Sequence, residues 1–192
     1  RIVGDPRSRF GATFPAMAEL AGRYGTEHRT LTPYEYRVSS QNGEDGVICE
    51  IVRRIGASCP PTFCEFGAGG GVSGNTMFLA DVMGWSGLLI EPADDDYRVL
   101  SSKYQACDAV ATVQDFVRPD NINTFVSAAR FPHGLGVLSI DVDGNDYYVW
   151  RAMSGVRACL VVIEYNGALP LRRRLVQPLS NEPWQGTDFF GA

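Results

Sequence analysis

Between Phe63 and Tyr97 the chain runs through an apolar strand, a glycine-rich turn, a helical stretch and a second apolar strand that ends in an acid, and few folds accept that order. The segments are Phe63-Cys64-Glu65-Phe66, Gly67-Ala68-Gly69-Gly70-Gly71, Asn75 to Met83, and Gly87-Leu88-Leu89-Ile90 followed by Glu91. Glycines at 67, 69, 70 and 71 remove the Cβ atoms that would hold a ligand off the backbone, and they permit the sharp turn into the helix. An acid at the tip of the second strand, roughly two dozen residues on, can accept both hydrogen bonds of a ribose diol. The pattern reads as a nucleotide site.

The alternation continues on both sides of this unit. Upstream, the polar run Ser39-Ser40-Gln41-Asn42-Gly43-Glu44-Asp45-Gly46 precedes Val47, Ile48, Ile51 and Val52 at helical spacing, which marks a helix start. Downstream, the periodicity predicts helices over Asp95 to Tyr104, Ile122 to Ala129 and Tyr147 to Met153, and strands over Val110 to Val113, Val137 to Ile140 and Cys159 to Ile163. Nearly continuous apolar strands alternating with helices predict an α/β fold: a doubly wound, mainly parallel, Rossmann-like sheet covered on both faces. Residues 1–33 read as an N-terminal extension with a short helix, Pro15 to Tyr24, and residues 34–192 as one binding domain.

Charge and composition exclude several classes. A net charge of -5 argues against general nucleic-acid binding, which needs a basic face. The one basic run, Arg172-Arg173-Arg174, reads as solvated surface. No run of about 18 apolar residues predicts a membrane span, and no signal-peptide pattern opens the chain, so a cytoplasmic protein without membrane contact is expected. Cys49, Cys59, Cys64, Cys107 and Cys159 form no CxxC pair and are expected to be reduced.

Five stretches carry a family resemblance: Ser40 to Gly46, Glu65 to Gly71, Gly84-Trp85-Ser86-Gly87 through Glu91-Pro92, Ile140-Asp141-Val142-Asp143-Gly144-Asn145-Asp146-Tyr147, and Val162-Ile163-Glu164-Tyr165-Asn166. Together, in that order, they resemble class I S-adenosylmethionine-dependent methyltransferases, and within them the FkbM-like group. The resemblance implies that Glu65 and the Gly67, Gly69 and Gly71 turn lie against the amino-acid part and ribose of S-adenosylmethionine. It further implies that Glu91 holds the ribose hydroxyls and that Asp115 recognises the adenine amino group. Gln41, just before the core, is expected to border the cofactor, ahead of Tyr34 and Tyr36. Class I enzymes usually carry two more strands after the fifth, so the resemblance also implies C-terminal strands that this chain lacks, or a homo-oligomer that completes the sheet.

Other readings of the same residues make the site testable. A dinucleotide fingerprint needs G-x-G-x-x-G, but Val72 stands at the third glycine position, and Glu65 brings a carboxylate that suits a cationic sulfonium better than a pyrophosphate. An NAD-dependent oxidoreductase is therefore the weaker enzyme reading, and a non-catalytic cofactor-binding or assembly module is the alternative from another class. Asp141, Asp143 and Asn145 open like a calcium EF-hand loop, but Asp146 and Ala152 occupy the positions that need Gly and Glu, which rejects it. In a parallel sheet, however, the ends of the first, fourth and fifth strands converge. Asp141, Asp143, Glu164 and Asn166 could then supply hard oxygen ligands to Mg²⁺, which would acidify an acceptor hydroxyl. Without a metal, Asp141 is the candidate general base or contact to the cofactor's amino end, and Glu164 the second catalytic carboxylate. The expected activity is O-methylation of a small molecule or glycoside. His133 falls on the side of the sheet away from this crevice, and His28 in the extension.

Overall fold

A computed structural model describes residues 30–129, 131, 134–167 and 175–182 of the chain. The expected helix at Pro15 to Tyr24, both histidines and the Arg172 to Arg174 run lie outside the described residues. A 3-10 turn at Thr32–Tyr34 leads to helix α1 (Glu44–Ile55). Then follow β1 (Thr62–Phe66), α2 (Met77–Asp81), β2 (Ser86–Ile90), α3 (Asp94–Tyr104), β3 (Val110–Val113), α4 (Ile122–Ala128), β4 (Leu135–Ile140), α5 (Asp146–Ala152) and β5 (Ala158–Ile163).

The five strands form one sheet in the order β3-β2-β1-β4-β5, and every pairing is parallel. The fold is α/β, as the apolar strands require, because a parallel ladder needs a crossover between neighbours and those crossovers cover both faces. Strand residues alternate between the faces. Phe63, Leu89 and Val137 pack with Ile48 of α1, Met77 and Leu79 of α2, and Leu100 and Tyr104 of α3. Cys64, Phe66, Leu88, Ile90, Leu138 and Ile140 pack with Ile122 and Val126 of α4 and Val149 of α5. The chain moves outward from β1 through β3, then returns to lay β4 on the other side of β1. This reversal opens a crevice between the carboxyl ends of β1 and β4, the place where open α/β sheets bind ligands.

Local chemistry sets the helices. Glu44 and Asp45 in the first turn of α1 and Arg53 and Arg54 in its last oppose the helix dipole. Both arginines donate to the buried Glu50 carboxylate, at 2.7–2.8 Å. Helix α2 is shorter than the expected Asn75 to Met83. At its start the amides of Asn75 and Thr76 are bound to Glu65. At its end Met83 N reaches back to Phe78 O and Gly84 takes φ 67°, which turns the chain toward β2.

Candidate functional site

A cleft of about 940 Å³ lies over the carboxyl ends of the strands. It is walled by the turn after β1, Glu91 to Ala93 after β2, Phe116 and Val117 beyond β3, Asp141 to Asp143 after β4, and Val162 to Tyr165 at the end of β5. Gln41, Asn42 and Glu44 close one side. Asp96, from the first turn of α3, contributes another acid to the lining, and no lysine, arginine or histidine lines the cleft among the described residues.

The turn after β1 is built by two carboxylates. Glu65 is 1% exposed. It accepts from Asn75 N at 2.8 Å, Thr76 N at 3.2 Å and Thr76 Oγ1 at 2.6 Å, so both its oxygens are engaged by the chain that closes the turn. Burial pushes its carboxyl above the ordinary range, against the hydrogen bonds from Thr76 and Asn75 that pull it down. Glu91 accepts from Gly69 N at 2.7 Å and Ala93 N at 2.9 Å, which ties the turn to the end of β2. Burial also raises its carboxyl, opposed by those two amides and reinforced by Asp96 and Asp143. Gly67, at φ 77°, has no room for a side chain: a Cβ there would collide with the Asp141 carbonyl. Gly67 and Gly69 line the cleft, whereas Gly71 faces Leu100 of α3, so its missing side chain admits a helix rather than a ligand.

The second half of the site is the loop from β4 to α5. Asp146, fully buried, accepts from Val142 N and Gly144 N at 2.9 Å each, and this fold-back carries Asp143 into the left-handed region at φ 51°. Asp141, Asp143 and Glu164 thereby present carboxylate oxygens that all lie within 4.8 Å of one another. Burial, then the neighbouring Asp143 and Asp146, lifts the Asp141 carboxyl to about 7. Burial, then Asp141, Asp146 and Asp143, lifts Glu164 to about 8. Asp143 is raised by burial and by Asp146. Glu164 Oε2 is buried and accepts no hydrogen bond among the described residues. Such a group can hold a proton near neutral pH or accept a cation, since either relieves the repulsion.

The remaining expected residues fall in different places. Gln41 lines the cleft on a loop fixed by Asp45, which is 1% exposed. Asp45 accepts from the amides of Val38, Ser39 and Ser40 and from both serine hydroxyls, at 2.7–3.0 Å. Tyr34 is buried beneath Arg54, whose guanidinium sits 5.2 Å from its ring, and Tyr36 does not line the cleft. Asp115 turns back on its own chain, accepting from Phe116 N at 2.7 Å, and the cleft wall is Phe116 instead. Asn166 is buried and outside the lining. Asn145 clamps the segment 175–182: its Nδ2 donates to Ser180 O at 2.6 Å and its Oδ1 accepts from Ser180 N at 3.1 Å. Sequence reasoning missed the anchoring roles of Asp45 and Asp146. The signal available for Asp146 was its spacing after two backbone donors, the pattern of a side chain that closes its own turn. Comparison of the chain with known protein-family models and with curated proteins found no match.

Proposed function

We propose that the chain binds S-adenosylmethionine and transfers its methyl group to an oxygen of a small molecule or glycoside, as the resemblance to FkbM-like methyltransferases implies. One observation carries this reading: the cleft at the reversal of the parallel sheet is lined by Glu44, Glu65, Glu91, Asp96, Asp141, Asp143 and Glu164, with no basic residue among the described residues. That field favours a ligand bearing sulfonium and ammonium charges and repels the pyrophosphate of a dinucleotide. Glu91, beside the glycine turn, supports the reading because its two backbone donors leave lone pairs that suit ribose hydroxyls. Phe116 and Val117 offer an apolar wall for a base.

In the transfer, the acceptor oxygen forms a bond to the methyl carbon as the carbon–sulfur bond breaks. The products are a methyl ether and the neutral thioether. The proton of the acceptor hydroxyl passes to Asp141 or Glu164, whose raised affinities suit a base working near neutrality. The sulfonium is already activated, so the protein's share is in-line placement. The Asp141, Asp143 and Glu164 oxygens, with the buried unpartnered Glu164 Oε2, also fit a hard divalent cation such as Mg²⁺, which would supply Lewis acidity toward the acceptor hydroxyl.

Calorimetric titration of the purified chain with S-adenosylmethionine and with NAD, each with and without Mg²⁺, tests the reading. Binding of the methyl donor that weakens at least tenfold in Glu91→Ala, with none for NAD, is expected. Binding of NAD alone, or of neither, overturns it.

A further inference from the structure

At the opposite end of the sheet from the cleft, the chain brings two thiols together across an intervening strand. Cys59 lies between the 3-10 turn Gly56–Ser58 and β1, and Cys159 is the second residue of β5, with β4 between them in the sheet. The crossing depends on β4 having no side chain at Gly136, where a Cβ would collide with the Pro60 carbonyl. Thr62 locks the approach: its Oγ1 donates to Gly134 O at 2.8 Å and accepts from Gly136 N at 3.0 Å. Cys159 Sγ donates at 3.5 Å to the carbonyl of Ser58, the residue that precedes Cys59, which brings the two thiols to the same corner of the sheet. Cys59 is buried and Cys159 exposed, whereas Cys49, Cys64 and Cys107 are not involved in this pair.

We propose that Cys59 and Cys159 form an oxidation site that closes to an intramolecular disulfide with a small disulfide oxidant such as glutathione disulfide. The exposed Cys159 thiolate attacks one glutathione sulfur, forming a mixed disulfide and expelling one glutathione thiolate. Cys59, having lost its proton to solvent, then attacks the Cys159 sulfur and expels the second. Two protein thiols are oxidised, one glutathione disulfide is reduced to two glutathiones, and no other reactant is needed. The order follows from access and acidity, because burial, with Cys159 beside it, pushes the Cys59 thiol up to about 11. The bond would tie the α1–β1 connection to β5 and leave the cleft open, and it does not depend on the function proposed for that cleft.

The test is incubation of the folded full chain with glutathione disulfide, followed by alkylation, chymotryptic digestion and mass spectrometry. Cleavage after Phe63 separates Cys59 from Cys64, and tandem fragmentation of the 37–63 peptide separates it from Cys49. The expected product has lost two hydrogens, yields a peptide joining Cys59 to Cys159, and is restored by dithiothreitol. The cross-link should disappear in Cys159→Ser, a surface change that leaves folding intact, and persist in Cys107→Ser. Oxidation should also raise the melting temperature by about 10 °C, since the bond closes a long loop. A stable glutathione adduct on Cys159 with Cys59 free, an intermolecular dimer, or two unreacted thiols would overturn the proposal.

Discussion

Replacing Glu164 with glutamine should stabilise the protein at high pH and do little at low pH. The three carboxylate oxygens of Asp141, Asp143 and Glu164 lie within 4.8 Å of one another. At an effective dielectric constant near 20, two full charges at that distance repel by about 3.5 kcal/mol. Glu164 is only partly buried, so solvent screening reduces the realisable amount to about 2 kcal/mol. The sign follows from proton binding. An unfolded glutamate loses its proton near about 4.3. The folded Glu164 keeps it to about 8. Below the unfolded value both states are protonated and no penalty exists. As pH rises through this window the native state holds the extra proton, so stability falls with pH, and the loss is complete above the folded value. Glu164→Gln removes that loss. Chelator-treated wild type and variant should therefore differ by about 2 kcal/mol more at pH 9 than at pH 4 in urea denaturation, or by about 4–8 °C in melting temperature. A difference that does not change with pH, or a variant that is the less stable at pH 9, would refute the account of the cluster as mutually repelling acids.

Gly67→Ala should destabilise the fold by roughly 3 kcal/mol, since its methyl group meets the Asp141 carbonyl in a residue held at positive φ. A loss under about 0.5 kcal/mol in chemical denaturation would show that the β1 and β4 ends can part. Asp45→Ala removes the carboxylate oxygen on which the amides of Val38, Ser39 and Ser40 converge. It should cost about 2–3 kcal/mol and speed hydrogen exchange at Ser39 and Ser40 selectively. Unchanged exchange there would mean that the Gln41 loop is held by something else.

The strands were legible because each is apolar on both faces, which only a covered parallel sheet can bury, and the doubly wound reading carried the reversal between β1 and β4 with it. The site's location was legible for the same reason: Gly67, Glu91, Asp141 and Glu164 all stand at or just beyond strand carboxyl ends. The ends of α2 were not, because Asn75 and Thr76 give their amides to a carboxylate ten and eleven residues back, a tertiary commitment invisible to periodicity. The turn that Asp115 closes on Phe116 N was hidden from the sequence for a similar reason, since a side chain that accepts from the next amide leaves no mark on periodicity.

What separates a structural acid from a functional one here is whether the backbone has already claimed it. Asp45, Glu65, Glu91 and Asp146 each accept at least two hydrogen bonds from loops that fold back on them, and each thereby shapes one wall or support of the cleft. Their negative charge is offset by amides fixed in place, so they hold the site together without demanding a ligand. Asp141 and Asp143 accept no such bonds among the described residues, and neither does Glu164 Oε2. Those three sit close enough that full ionisation of all of them is unfavourable without a proton or a cation between them. The fold therefore concentrates its unclaimed charge where β4 and β5 end, against the turn that Glu65 and Glu91 hold. A positively charged reacting centre bound in this cleft would meet its strongest attraction at that point.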